Sequence, residues 1–313
     1  TDDSAGCPAF YAQAVSGVRN GDAPEWMRSK LKAIGQKPIS VLVDITNFIS
    51  IDLGRPLHVY DRAKLNGTLV ARKAIDGEEI VALNGKTYTL DSSMTVIADD
   101  SMVHDIGGIM GGEHSGAQDG TTDVLIECAY FTPERIAVTG QKLALTSDAR
   151  GRFERGVDPS TTVEHIERIT QLVLEICGGQ VGPMDDHVVN LPVAQPVTLR
   201  VARANKVIGM PLTQAQCAGA LRRLGLALKE GEGTITVTPP AYRFDIQIEE
   251  DLIEEVARVV GYNQLPETPP LAPITAKIRP EAQRGPFAVR RLLAQLGYQE
   301  TINFSFVEER WEH

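Results

Sequence analysis

The sequence has few of the features that mark several large classes of protein. No apolar run approaches the roughly 20 residues that a membrane-spanning helix needs. The four cysteines, Cys7, Cys128, Cys177 and Cys217, form no Cys-x-x-Cys pair and no dense framework, which favours a reducing, cytoplasmic setting. The six histidines are dispersed and show no zinc-ligand spacing. We therefore expect neither a membrane protein, nor a disulfide scaffold, nor a zinc site.

The sequence also lacks nucleotide-binding loops and an excess of basic residues. The glycine-rich run 107–112 has neither the Gly-Lys-Ser/Thr of a P-loop nor the spacing of a dinucleotide fingerprint. The net charge of −10 argues against nonspecific binding to nucleic acid, DNA included, because such binding depends on Lys and Arg neutralising phosphates. The chain begins at Thr1 without a signal peptide, and the missing initiator Met suggests a piece of a longer protein.

With 313 residues, 42% of them apolar, the chain has room for two domains or more. Residues 38–51 alternate and predict an extended segment, and the Asp-Gly and Asn-Gly pairs within 69–98 predict hairpins. Asp158-Pro159 is expected to open the longest helix. These segments predict strands, hairpins and one long helix before a linker that begins near residue 191.

A proline-containing linker then leads to a smaller unit, 192–266, with strands near 197–201 and 234–238 and helices over 213–224 and 249–260. Five prolines between 266 and 280 predict a second linker. A helix over 284–296 and an extended run over 301–307 follow. We interpret 267–313 as a linker and the start of a third domain.

Two segments could hold functional groups. His58 lies between Pro56 and Asp61, and it could donate to a substrate or orient water, or it could be a structural histidine bonded to Asp61. Glu127 is the one carboxylate within the apolar run 124–131. It is either a buried site residue or a water-facing residue of an edge strand.

Two charged stretches could likewise have either a functional or a purely structural role. The stretch 147–159 is dense in alternating charge and could simply be a salt-bridged loop that caps the long helix. Helical spacing places Asp251, Glu254 and Glu255 on one face, with Asp245 just upstream. Such carboxylates suit Mg²⁺, but spacing alone favours a solvated face with a Glu254–Arg258 pair.

Taken together, these segments resemble bacterial phenylalanyl-tRNA synthetase beta subunits. Five segments occur in the order of that family: Asp44-x-Thr46-Asn47 with Gly54-x-Pro56-x-His58, Gly107–Gly112, Glu127-x-Ala129, Arg152–Pro159, and Arg243-x-Asp245 through Gly261-Tyr262. The resemblance implies an α+β editing domain with mixed or antiparallel sheets over 1–191, followed by a small winged-helix-like α+β domain over 192–266. It also implies an α2β2 tetramer with an alpha subunit that aminoacylates tRNA(Phe) using ATP and Mg²⁺.

The resemblance also implies residue roles. His58 and Gly111 would line an editing site, Glu127 would receive the hydroxyl of tyrosine, and Ser147 and Ala149 would lie near the scissile ester. The metal set would be Asp245, Asp251, Glu254 and Glu255. The sequence departs from the family pattern at Ser40-Val41, where Asn-Asn is common, and at Gly151, where an aromatic residue or His is usual.

The expected chemistry is the hydrolysis of mischarged Tyr-tRNA(Phe). A pocket shaped for Phe rejects Tyr only about a hundredfold, so a second site that demands the hydroxyl is useful. We expect a positioned water, with the carbonyl oxygen stabilised by backbone N–H groups near Gly111 and by the Ser147 hydroxyl. The alternatives are a noncatalytic RNA-docking or assembly module and a free-standing editing hydrolase.

Overall fold

The computed structural model describes residues 1–274, 280 and 283–312. Its strands are β1 (Ala9–Ser16), β2 (His58–Asp61), β3 (Val70–Lys73), β4 (Glu79–Val81), β5 (Thr87–Thr89), β6 (Thr95–Ala98), β7 (Val103–Ile106), β8 (Met110–Gly111), β9 (Asp123–Tyr130), β10 (Gln180–Val188), β11 (Val197–Arg200), β12 (Ala227–Gly231) and β13 (Thr234–Thr238). Its helices are α1 (Glu25–Ala33), α2 (Val41–Asp52), α3 (Pro133–Lys142), α4 (Asp148–Phe153), α5 (Thr162–Cys177), α6 (Val201–Ile208), α7 (Gln214–Arg223), α8 (Glu249–Val260) and α9 (Pro286–Gln295). The α+β class is confirmed.

The chain divides into two compact units, residues 1–265 and residues 266–313. The first unit contains two four-stranded antiparallel sheets, ordered β10-β1-β9-β2 and β3-β6-β7-β8, and the hairpin β4-β5. It also contains a three-stranded antiparallel sheet ordered β11-β13-β12. Among the described residues of the second unit, α9 is the main element, and no strand forms over 301–307, where an extended run was expected. No described helix is both long enough and apolar enough to cross a membrane.

The two faces of the first sheet pack against different hydrophobic clusters. Alternate side chains of β9, from Val124 to Tyr130, join α2 and α5 in one cluster. The opposite side chains, Leu125 and Ala129, face a second cluster that includes the strands β6 and β7. Because strand side chains alternate, Glu127 faces the second cluster, between the two four-stranded sheets. This alternation positions the candidate site.

The segment 38–51 corrects a sequence prediction, because it forms the helix α2 instead of an extended run. Its buried residues Val41, Leu42, Ile45 and Ile49 repeat at helical spacing and pack into the first cluster. Near the start of the helix, the Asp44 carboxylate accepts a hydrogen bond of 2.8 Å from the backbone N–H of Ile39. The β-branched residues of this segment are typical of a strand. The segment still forms a helix, because a helix places its four buried apolar residues on one face.

In the smaller part of the first unit the predicted strands and helices form, together with α6 and β12, which the sequence did not predict. Thr213 and Gln216 make a reciprocal capping box at the start of α7, and α8 spans the predicted residues 249–260. Leu252, Ile253 and Val256 of α8 pack with β11 and β13 in a third hydrophobic cluster. The ring of Phe244 lies directly over Gly156, where a Cβ atom would collide with it.

Candidate editing site

A cavity of about 600 Å³ lies between the two four-stranded sheets and α2. The structure places all five sequence-predicted site residues in its lining: His58, Gly111, Glu127, Ser147 and Ala149. They come from β2, β8, β9 and the start of α4, so the fold brings together segments that are up to about 90 residues apart. Much of the remaining lining is apolar, and it includes Leu83, Ile109, Phe131 and Phe153.

Glu127 lies on β9, an interior strand of its sheet, so the edge-strand interpretation is wrong. The residue is 6% exposed, and its Oε1 atom has no hydrogen-bond partner among the described residues. Burial, reinforced by the negative charge of Asp105, raises the pKa of Glu127 to about 8, against the opposing effect of Arg55. An unpartnered buried carboxyl group is costly, which marks Glu127 as the strongest candidate for ligand recognition.

His58 begins β2 and pairs directly with Glu127 across the sheet. Its Nε2 atom is buried without a hydrogen-bond partner in the described part of the chain, and it lies 4.0 Å from Asp105 Oδ2. The expected alternative, a structural histidine bonded to Asp61, is wrong, because the Asp61 carboxylate accepts from Thr121 Oγ1 and from the Ala63 N–H. The imidazole is therefore open to the cavity.

Gly111 leaves space for the His58 ring. A Cβ atom at position 111 would lie 2.6 Å from His58 Cε1 and 3.2 Å from Asp105 Oδ1. Contacts below 3.0 Å are not tolerated, so any side chain at this position would push the imidazole aside. Glycine is required here for its small size.

Ser147 joins two walls of the cavity. Its hydroxyl donates a 2.6 Å hydrogen bond to the carbonyl oxygen of Ile109 and accepts a 3.0 Å bond from the Arg150 N–H, so it caps α4. A serine hydroxyl has one proton to donate. Ser147 can therefore accept a hydrogen bond from a ligand, but in this arrangement it cannot also donate one to a carbonyl oxygen.

Two charged residues of this region were not singled out from the sequence. Asp105 on β7 lines the cavity and accepts a hydrogen bond from the Tyr60 hydroxyl. Arg55 is fully buried behind β9, where it donates to Ala129 O and to His165 Nδ1, each at 3.3 Å, and to the carbonyl oxygen of Asp158. Asp105 is the one carboxylate of β7, but His104 beside it makes its sequence signal weaker than that of Glu127.

The four predicted metal-ligating carboxylates do not converge. Asp245 and Glu255 are both paired with Arg243, and Glu255 also pairs with Arg258, instead of the expected Glu254–Arg258 pair. Asp251 accepts from the backbone N–H groups of Gln247 and Ile248, each at 2.8 Å. Glu254 is exposed, whereas Glu255 is buried, so the two do not share a face.

No group of three or more acidic, histidine or cysteine side chains suited to a metal ion occurs in the described ranges. As arranged, these residues do not fit a Mg²⁺ site, because arginines and backbone donors already satisfy Asp245, Asp251 and Glu255, and Glu254 points away to solvent. That they bind Mg²⁺ in a complete enzyme stays a prediction.

Three family models match this chain in sequence order. The B3/4 domain matches residues 6–178, which include the whole cavity lining. The chain belongs to the B3/4 domain family. The tRNA synthetase B5 domain matches residues 197–262, and the phenylalanyl tRNA synthetase beta chain CLM domain matches residues 265–313.

Several curated proteins are similar to this B3/4-domain chain. It is 46% identical over 307 residues to the phenylalanine–tRNA ligase beta subunit of Bordetella pertussis, and 47% identical over 311 residues to that of Cupriavidus pinatubonensis. In both cases the match covers 98% of this chain and 38% of the relative, so the chain spans well under half the length of these proteins. The resemblance to phenylalanyl-tRNA synthetase beta subunits is confirmed.

One solved structure is also similar, an N-terminal fragment of the phenylalanyl-tRNA synthetase beta-subunit from Pyrococcus horikoshii. It is 14% identical, covers 83% of this chain and 73% of its own, and superposes with a TM-score of 0.38. That likeness is too weak to carry an argument about the fold.

Proposed function

We propose that this chain supplies the editing site of a phenylalanine–tRNA ligase, where it hydrolyses the ester of tyrosine wrongly attached to tRNA(Phe). The observation that carries the proposal is the partnerless, buried Oε1 of Glu127 in a mostly apolar cavity. A tyrosyl ring would fill the apolar space, and its hydroxyl would satisfy Glu127. Phenylalanine would leave the carboxyl group unpaired, at a cost of about 1–3 kcal/mol.

The size and walls of the cavity support this assignment. A volume of about 600 Å³ lies within the range of roughly 300–1,000 Å³ that is usual for small-molecule sites. Phe131 and Phe153 provide aromatic surface, and the Asn47 amide of α2 adds a polar group at another wall. The combination of apolar walls with a few buried polar groups suits an aromatic ligand with a single hydroxyl.

The hydrolytic step would use a positioned water and not a covalent intermediate. Cys128 follows Glu127 directly in the sequence. Burial raises the pKa of its thiol to about 12, so this thiol is a poor nucleophile. The Ser147 proton is donated to Ile109 O, which leaves backbone N–H groups near Gly111 as the donors for the developing oxyanion. The Ser147 oxygen can accept from the attacking water.

Deacylation assays test the proposal. Wild-type chain should hydrolyse Tyr-tRNA(Phe) and spare Phe-tRNA(Phe), and Glu127→Ala should reduce this preference about 10- to 100-fold. The exposed residue Glu113 offers a matched control, because Glu113→Ala removes the same side chain outside the cavity lining. Equal hydrolysis of the two aminoacyl-tRNAs by the wild type, or an unchanged preference in Glu127→Ala, would contradict the proposal.

We also propose that the chain acts in the cytoplasm within an α2β2 tetramer, whose alpha subunit aminoacylates tRNA(Phe) with ATP and Mg²⁺. The order of the three family models and the 45–47% identity to beta subunits support this assembly. The proposed division is an editing domain over 1–191, a winged-helix-like domain over 192–266, and a linker with the start of a third domain over 267–313.

Whether Asp245, Asp251, Glu254 and Glu255 bind Mg²⁺ can be measured only in the assembled tetramer. Mg²⁺ binding there should weaken in Glu254→Ala, an exposed position where truncation does not disturb the helix cap. Undiminished binding would contradict the Mg²⁺ assignment for these four residues.

A further inference from the structure

Two carboxyl groups from different sheets face the same cavity. Glu127 belongs to β9 of the first sheet and Asp105 to β7 of the second, and both line the cavity. They are 6% and 7% exposed, so water screens neither of them well. Two like charges in one poorly solvated space are costly, and such pairs usually hold one proton between them.

The surroundings of the two groups are unequal. Asp105 Oδ2 accepts a hydrogen bond from the Tyr60 hydroxyl and faces His58 Nε2 at 4.0 Å. The Tyr60 ring is fully buried and packs at 4.4 Å from the His58 ring, which holds both groups in place. Glu127 Oε1 has no such partner among the described residues. A negative charge is therefore better accommodated on Asp105 than on Glu127.

We propose that Asp105 is a positioning residue that carries the negative charge of the cavity, held by Tyr60 and facing His58, so that Glu127 meets the hydroxyl of a ligand as a neutral carboxyl group. The identity of this ligand, a tyrosyl group, rests on the proposed function. The placement of the charge does not, because it follows from the contacts of Asp105 and Glu127 alone.

The electrostatics of the neighbouring groups agree with this placement. Burial and the charge of Asp105 raise the pKa of Glu127 to about 8, with Arg55 and a backbone hydrogen bond from His58 acting against them. Burial raises the pKa of Asp105 too, but His58, Tyr60 and His104 all act to lower it. One further group, the buried thiol of Cys7, faces Glu127 and stays neutral because burial raises its pKa.

A neutral Glu127 has a clear advantage for an aminoacyl ligand. Such a ligand carries an α-ammonium group as well as the phenol, and a carboxylate would attract the ammonium group in a reversed orientation. A protonated carboxyl group offers one donor and one acceptor to a hydroxyl group and exerts no such pull. A neutral Glu127 would thus favour the orientation in which the ring points towards it, while the charge of Asp105 is engaged by the Tyr60 hydroxyl and faces His58.

Carboxyl titration followed by infrared spectroscopy tests the charge placement without any RNA. In the wild-type chain we expect a protonated carboxyl band at neutral pH that is lost on titration with a midpoint near pH 8. The band should be absent in Glu127→Gln, and in Asp105→Asn it should disappear at lower pH. Asp61→Asn is a matched control, because Asp61 is also buried and bonded by a hydroxyl but lies outside the cavity lining. A band that persists in Glu127→Gln, or that is unmoved in Asp105→Asn, overturns the proposal.

Deacylation kinetics add a readout that a purely structural role would not move. Glutamine mimics a neutral carboxyl group, so Glu127→Gln should keep activity on Tyr-tRNA(Phe) within about tenfold of the wild type, whereas Glu127→Ala should lose its preference for Tyr over Phe. The pH profile of Asp105→Asn should shift to lower pH, and that of Asp61→Asn should not. If Glu127→Gln is as impaired as Glu127→Ala, Glu127 acts as a carboxylate and the inference is wrong. A wild type without deacylase activity would contradict the proposed function, while the infrared titration would still decide the charge placement.

Discussion

Glu127 on β9 lies directly opposite His58 on β2, and each contributes one unpartnered polar atom to the same cavity. Among the cavity-lining residues, Glu127 Oε1 and His58 Nε2 are the two buried side-chain atoms without a hydrogen-bond partner in the described part of the chain. A cross-strand pair is held by backbone geometry, so this spacing does not depend on loop conformation. Under the proposed function, the pair would meet a hydroxyl group without rearranging.

The space at Gly111 predicts a loss of function without unfolding. In Gly111→Ala the new Cβ atom would lie 2.6 Å from His58 Cε1, so the imidazole must move and deacylation should fall at least about tenfold. Gly116→Ala is the matched control, because Gly116 also lines the cavity but its nearest atom to a new Cβ is 3.9 Å away. Similar rates for the two variants, with both folded by circular dichroism, would show that position 111 tolerates a side chain.

The hydroxyl of Ser147 predicts different outcomes for two small substitutions. Ser147→Ala removes the cap of α4 and the bond to Ile109, and it should lower the free energy of unfolding by about 0.5–2 kcal/mol. Ser147→Thr keeps the hydroxyl and should stay close to the wild type. Urea unfolding and deacylation of Tyr-tRNA(Phe) measure both effects. Equal stability of the two variants would mean that the cap contributes little.

The buried carboxyl group of Glu127 predicts a specific dependence of stability on pH. Its pKa is raised from 4.5 in the unfolded chain to about 8 in the folded one, so the folded state binds more protons between these values. The contribution of Glu127 to the free energy of unfolding should therefore fall as pH rises through this window, by on the order of a few kcal/mol. Glu127→Gln should lack this decrease and be more stable than the wild type near pH 9, as measured by urea unfolding. Glu113→Gln, at an exposed position, should follow the wild type throughout.

The buried guanidinium of Arg55 predicts that even a conservative change is costly. Arg55 donates hydrogen bonds to main-chain carbonyls from two segments and to His165. The ammonium group of a lysine cannot donate in all these directions as the planar guanidinium does. Arg55→Lys should lower the free energy of unfolding by about 1–3 kcal/mol or more, because buried acceptors lose their donors. Arg62→Lys, at an exposed position, should change stability by less than about 0.5 kcal/mol. Thermal unfolding of both variants provides the comparison.

Sequence reasoning succeeded where local pattern and structure agree, as at the capping box of α7 and over the span of α8. It failed for α2, because the β-branched residues of 41–51 suggest a strand until their burial against α5 is known. The five cavity residues came from resemblance and not from spacing, since no local pattern links His58 to Ser147. Asp105 and Arg55 escaped notice because their importance depends on neighbours that are distant in sequence. Glu255 was expected on the same helix face as Glu254. It is instead buried and paired with Arg243, which comes from outside the helix and which no helical spacing could reveal.

The contact between Gly156 and Phe244 joins two of the segments that carried the family resemblance. Gly156 follows α4, which carries part of the cavity wall, and Phe244 precedes α8 in the part of the chain that matches the B5 domain. Because Gly156 has no side chain, the Phe244 ring can pack directly against this position. Severing the chain between these regions, within residues 189–196, would expose the Phe244 ring on the second fragment. A fragment that begins near residue 197 should then become prone to aggregation even though its own sheet and hydrophobic cluster are complete.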